Sequence, residues 1–112
     1  MKKLEIVVKP ELLDEATALL ETCSVKGLMT TNIMGYGNQK GYQKTYRGTT
    51  YTVKFLPKIK IETITDDDTA QDIIDMMTEK LPSDEIGGGK IFVIPIDDVV
   101  RLRTGETGSD AI

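Results

Sequence analysis

The sequence has no histidine, no tryptophan and a single cysteine among its 112 residues. Without histidine, neither a Ser-His-Asp nor a Cys-His nucleophilic site can be assembled. Cys23 alone excludes an internal disulfide framework and, with no histidine beside it, argues strongly against a structural zinc site. No apolar run approaches the roughly 18 residues needed to cross a bilayer, so direct membrane insertion is not expected. The opening Met1-Lys-Lys-Leu-Glu5 places an acid early and lacks a signal-peptide core. The expected setting is cytoplasmic.

What is present fits one globular domain spanning 1–112. Apolar residues make up 39% and charged residues 29%, which argues against wholesale disorder. A domain this small buries only about two-thirds of its unfolded surface, and oligomerisation is a common remedy.

Charge and aromatics are segregated. Residues 37–55 carry Lys40, Lys44, Arg47 and Lys54 and no acid, whereas the rest of the chain holds ten bases and eighteen acids. A +4 segment therefore sits on a −8 body. All four tyrosines (Tyr36, Tyr42, Tyr46, Tyr51) and Phe55 fall in or beside it. It reads as one loop of about 19 residues, a length that is usually functional or disordered.

Apolar periodicity places the other elements. Leu4 to Lys9 alternates as a strand. Pro10 starts a helix whose Leu12, Ala16, Leu19, Leu20 and Cys23 share a face, and Gly27 ends the turn after it. Leu28–Tyr36 and Leu56–Thr65 read as strands. Asp66-Asp67-Asp68 opens a second helix with the stripe Ala70, Ile73, Ile74, Met77 and Leu81, closed by Pro82. A glycine-rich loop leads to a last strand, Ile91–Pro95, apolar on both faces. The five methionines and Cys23 read as core. The order βαββαβ is the ferredoxin-like split βαβ arrangement of an α+β domain. Two helices cover one face of such a sheet; a second copy of the chain is the simplest cover for the other.

Three segments could carry chemistry. Gly87-Gly88-Gly89-Lys90 lets backbone approach phosphate oxygens, although its spacing is not that of a P-loop and the plain alternative is a tight helix-to-strand connection. Arg101-Leu102-Arg103, if extended, places two guanidiniums on one side, where they suit a polyphosphate; alone, a solvated pair is the simpler reading. The basic, tyrosine-rich loop could stack on single-stranded nucleic acid, but the acidic body opposes phosphate approach. A docking arm for a protein fits better, since Tyr and Arg are common anchors.

Taken together, Gly37-Asn-Gln-Lys-Gly41, Tyr46-Arg47-Gly48, Phe55-Leu-Pro-Lys-Ile-Lys-Ile-Glu62, Gly89-Lys-Ile-Phe-Val93 and Arg101-Leu-Arg-Thr-Gly-Glu106 resemble the PII signal-transduction family over essentially the whole chain. The resemblance implies a homotrimer that binds ATP or ADP in clefts between subunits. Nucleotide contacts would come from Gly35, Gly37, Asn38, Ile64, Gly87, Gly88, Gly89 and Lys90, with Arg101 and Arg103 reaching across. Residues 82–90 would be the family's glycine-rich B-loop, 101–112 its C-terminal loop and 37–55 its T-loop.

With Mg-ATP, 2-oxoglutarate would bind at the T-loop base through Gln39, Lys40, Gly41, Lys58 and Gly87, with Gln39 completing the Mg²⁺ shell. Lys44, Tyr46, Arg47, Tyr51 and Lys54 would meet a target, either a membrane transporter that recruits the protein or a metabolic enzyme. Arg47 matches the residue that plugs the channel in members that bind ammonium transporters. Tyr51 matches a tyrosine that some members nucleotidylylate.

The chain departs from the family's pattern at several sites. Asn38 stands where an arginine is usual, Gly88 where an acid is, and Met29 where a pocket threonine is. Lys44, Thr50 and Lys54 stand where the T-loop normally carries acids, which implies an acidic target surface. Three expectations stay open: a conventional sensor of ATP, ADP and 2-oxoglutarate; a divergent sensor of ATP and ADP acting on another, ATP-driven transporter; and a slow ATPase whose turnover resets the switch.

Overall fold

A computed structural model describes residues 1–37, 42–81 and 88–112. Strand β1 (Lys2–Val8) is followed by a 3-10 turn (Pro10–Leu12) and helix α1 (Leu13–Glu21). Next come β2 (Met29–Gly35), β3 (Tyr42–Tyr46), β4 (Thr49–Val53) and β5 (Leu56–Thr65). Helix α2 (Asp67–Lys80), β6 (Gly89–Pro95) and a 3-10 turn (Gly108–Ala111) complete the order.

The main sheet has the order β2-β5-β1-β6, and its neighbours are antiparallel. This is the expected split βαβ topology. Each connection between parallel strands carries a helix and skips one position. Leu4, Ile6 and Val8 of β1 lie beside Thr63, Ile61 and Ile59 of β5 and are buried with them. Ala16 and Leu20 of α1, and Ala70, Ile73 and Met77 of α2, close this core from one side. Truncating any of its large side chains to alanine would cost about 2–5 kcal/mol. The Thr63 hydroxyl survives burial by donating to the Gly27 carbonyl at 2.8 Å.

Asp66 caps α2. Its carboxylate accepts from the Thr69 amide at 2.7 Å, and Asp67 meets the terminal amine at 3.0 Å. The Pro10 segment differs from the expected helix. Its first turn is 3-10, and α1 ends at Glu21, so Cys23 packs half-buried just beyond the helix. The last strand begins at Gly89, two residues before the apolar run. Of the methionines, Met77 is core, but Met29 and Met34 on the edge strand β2 are exposed.

The largest correction is the basic loop. Residues 42–53 are a β-hairpin, a separate two-stranded sheet of β3 and β4. Arg47 (φ 50°) and Gly48 (φ 78°) form its two-residue turn. Positive φ at both central positions matches the twist of the flanking strands. The hairpin also explains the shape. The radius of gyration is 17.1 Å, against about 13 Å for a compact chain of this length.

Candidate functional site

Strand register sorts the expected ligand residues into two groups at opposite ends of the main sheet. At one end Val8 pairs with both Gly89 and Ile59, and Gly35 pairs with Leu56. Gly35, Gly37, Lys58, Gly88, Gly89 and Lys90 gather there, next to the base of the hairpin. At the other end Lys2 pairs with Thr65 and Pro95. Ile64 and the segment that leads to Arg101 and Arg103 belong to that end. The seven residues of β6, about 20 Å long at the usual strand rise, run between the two ends. Asn38, Gln39, Lys40, Gly41 and Gly87 lie outside the described residues.

The first end is shaped by close backbone packing. Gly88 is buried. A Cβ on Gly89 would sit 3.0 Å from the Val7 carbonyl oxygen, at φ 154°. A Cβ on Gly35 would meet the Lys58 stem at 3.2 Å, so the glycine lets that side chain lie across β2. Lys58 is half-buried, and burial pushes its ammonium below the ordinary lysine pKa, with Lys9 adding to the effect. An incoming carboxylate or phosphate would favour the charged form of this lysine. A cleft of about 310 Å³ is walled by Gly88–Lys90 on one side and by Ile6, Val8, Ile74, Met77, Thr78 and Leu81 on the other. Its floor is mostly hydrocarbon and continuous with the core at Ile6, Val8 and Met77.

The second end is tied to itself. The Arg101 amide donates to the Glu106 carbonyl at 2.9 Å, and the Gly105 amide to the Arg101 carbonyl at 2.7 Å. The Arg101 guanidinium meets Glu106 Oε1 and the Ile112 carbonyl, each at 3.4 Å. Residues 102–104 are thus a turn, and the expected extended Arg-Leu-Arg does not form. The alternation rule fails because Gly105 reverses the chain and Glu106 claims the first arginine. Arg103 is exposed, and Leu102 at its centre is 97% exposed.

The hairpin carries the expected partner residues, Lys44, Tyr46, Arg47 and Tyr51, all in solvent, with Lys54 just beyond β4. The Arg47 guanidinium lies over the Tyr46 ring, 5.3 Å from its centre. At the base, the Tyr36 and Phe55 rings pack at a tilt of 42° with centroids 5.6 Å apart.

One cluster escaped sequence reasoning. On the face of the sheet away from the helices, Glu5 lies between Glu62 and Phe92, Lys3 between Ile64 and Ile94, and Val7 between Lys60 and Lys90. Lys3 bridges Glu5 at 3.1 Å and Glu62 at 3.4 Å, and Lys60 approaches Glu62 at 3.6 Å. The Glu62 carboxyl is held below its usual range, first by its hydrogen bond with Glu5 and then by Lys3. These residues are the polar half of two alternating strands, which in sequence looks like an ordinary solvated face.

The comparisons with known proteins agree with one another. The family model described as Nitrogen regulatory protein P-II matches residues 1–106. The chain is 45% identical to a Nitrogen regulatory protein P-II of Cereibacter sphaeroides over 112 residues, all of both chains. It is 46% identical to proteins of the same description from Azospirillum brasilense and Mesorhizobium japonicum, again over the full length of each.

Proposed function

The chain belongs to the nitrogen regulatory protein P-II family, and from that premise we propose that it is a signal-transduction regulator that binds ATP or ADP between copies of itself and acts on a target through the β3–β4 hairpin. The observation that carries this reading is the separation of the two cationic groups. β6 runs between Lys90 with its glycines and the segment that carries Arg101 and Arg103, and a site shared by neighbouring copies fits that separation. A closed assembly, a trimer by resemblance, brings the end of one copy to the opposite end of the next. The half-covered apolar residues Val7, Ile64, Phe92 and Ile94 on the open sheet face, and the bare Leu102, supply surface for that contact.

In this assembly Gly88, Gly89 and Lys90 approach the phosphates, and Arg101 and Arg103 of a neighbouring copy neutralise them. Mg²⁺ with ATP takes Gln39 as a protein ligand, and Lys58 pairs with the far carboxylate of 2-oxoglutarate. Both ligands meet the chain where the hairpin begins. Each biases the hairpin's arrangement only by its differential affinity for the alternatives.

A second reading has its own observation. Met29, exposed beside Glu62, replaces the pocket threonine of the family pattern, and the hairpin has no acid. A sensor of ATP against ADP, without 2-oxoglutarate and with another target, fits those changes.

Calorimetric titration of 2-oxoglutarate into the protein separates the two. Binding with Mg-ATP but not with Mg-ADP supports the conventional sensor. Absence of binding with either nucleotide, while both nucleotides bind, supports the second. Failure of both nucleotides to bind sinks both.

A further inference from the structure

We propose that the β3–β4 hairpin docks through one face only, the face bearing Tyr42, Lys44, Tyr46, Tyr51 and Val53, and that its occupant is an acidic surface of another protein. This rests on the reading of the hairpin as the docking arm and adds which side of it makes contact.

The strand register divides the hairpin into two unlike faces. Tyr42 pairs with Val53, Lys44 with Tyr51 and Tyr46 with Thr49. Directly paired residues share a face, and alternate residues along a strand share it too. These six side chains therefore project to one side. The intervening pairs, Gln43 with Thr52 and Thr45 with Thr50, project to the other. The second side is small, polar and already satisfied in part, because the Thr45 and Thr50 hydroxyls bond to each other at 3.1 Å.

The first side has what an interface needs. Three tyrosines, 46–60% exposed, offer rigid area that costs little side-chain entropy to immobilise. Cations stand beside the rings. Lys44 is directly across from Tyr51, and Arg47 is stacked on Tyr46, which holds its guanidinium in place before any partner arrives. A carboxylate brought to this face finds ammonium, guanidinium and phenol donors together.

Charge selects the class of partner. No acid lies in residues 37–55, and the rest of the chain is net −8. A protein can present a few carboxylates locally to the hairpin. A nucleic-acid strand extends its phosphates along the acidic body and is repelled.

The test uses the full-length protein and two fluorescein-labelled probes, an alternating Glu-Leu peptide and an oligothymidylate of similar length. Anisotropy gives affinity, and side-chain NMR gives the face. The expected result is that the Val53 and Thr49 methyls and the Tyr42, Tyr46 and Tyr51 rings shift with the peptide. The Thr45, Thr50 and Thr52 methyls do not. Lys44→Ser with Tyr51→Ser weakens the peptide by about tenfold or more, the scale of a lost anchor. Thr45→Ala with Thr50→Ala changes it less than about twofold. Unchanged spectra of the sheet and helices show that each variant is folded.

Equal responses on both faces, or an equal loss in the threonine variant, overturn the one-face assignment while the docking reading stands. No response anywhere in the hairpin overturns the docking reading with it. Tighter binding of the oligothymidylate than of the peptide at the same salt overturns the acidic-protein occupant.

Discussion

At the scale of single residues, the glycine loop shows how one atom can settle a role. Gly89 was legible as a place where backbone can approach a phosphate. Its structural reason is different and independent: a Cβ there meets the Val7 carbonyl at 3.0 Å from an unfavourable backbone angle. Gly89→Ala is expected to cost about 1–3 kcal/mol in urea unfolding, the scale of a strained backbone position. A loss below about 0.5 kcal/mol would mean that β6 shifts without penalty. Arg101 shows the opposite case. Its cationic character was plain, but its surroundings were not. Spacing alone cannot reveal that Gly105 turns the chain and that Glu106 takes one side of the guanidinium. A phosphate arriving at Arg101 must compete with that carboxylate, which the sequence reading did not anticipate.

At the scale of elements, the strands and helices of the body were readable because each buries one face, and burial writes a period into the sequence. The hairpin buries neither face, so it left no such period. Its glycines and charges read as a loop. The signals that could have found it are Arg47-Gly48 as a turn pair and the β-branched Thr45, Thr49, Thr50, Thr52 and Val53 around it. Because the hairpin is a sheet of its own, deleting residues 42–52 should leave thermal unfolding within about 3 °C of the full chain, a small change for a domain of this size. A larger drop would show that the hairpin supports the body.

Helix α2 gives a pH-dependent counterpart. The Asp66 carboxyl is held below its ordinary pKa of 3.8, first by the Thr69 backbone amide. A depressed acid stabilises the fold fully above its ordinary pKa and loses that contribution as pH falls through its folded value. Asp66→Ala should therefore unfold several degrees lower near neutrality. The gap should close in acid, below the ordinary pKa of 3.8. A gap unchanged down to the lowest pH would show that the cap contributes through something other than its charge.

At the scale of the whole molecule, the two half-sites set the strongest constraint. Lys90, Arg101 and Arg103 fall within fourteen residues of sequence, but most of β6 runs between Lys90 and the segment that carries the two arginines. Lys90→Ala and Arg101→Ala should each weaken ATP by a few kcal/mol at most, the scale of a lost charged partner. Co-expressing the two variants then distinguishes a shared site from one within a chain. If one copy supplies the glycine end and the next supplies the arginines, a site is whole only where an Arg101→Ala chain is followed by a Lys90→Ala chain. In a closed ring of randomly mixed copies this happens at about one quarter of the sites, whatever the number of copies. Calorimetry of the mixed assembly should recover that fraction at native affinity. A site contained within one chain gives no recovery at all, because every chain then carries one of the two lesions. Recovery near one quarter therefore makes nucleotide binding a property of the assembly, and dissociating it should abolish binding with every site residue still in place.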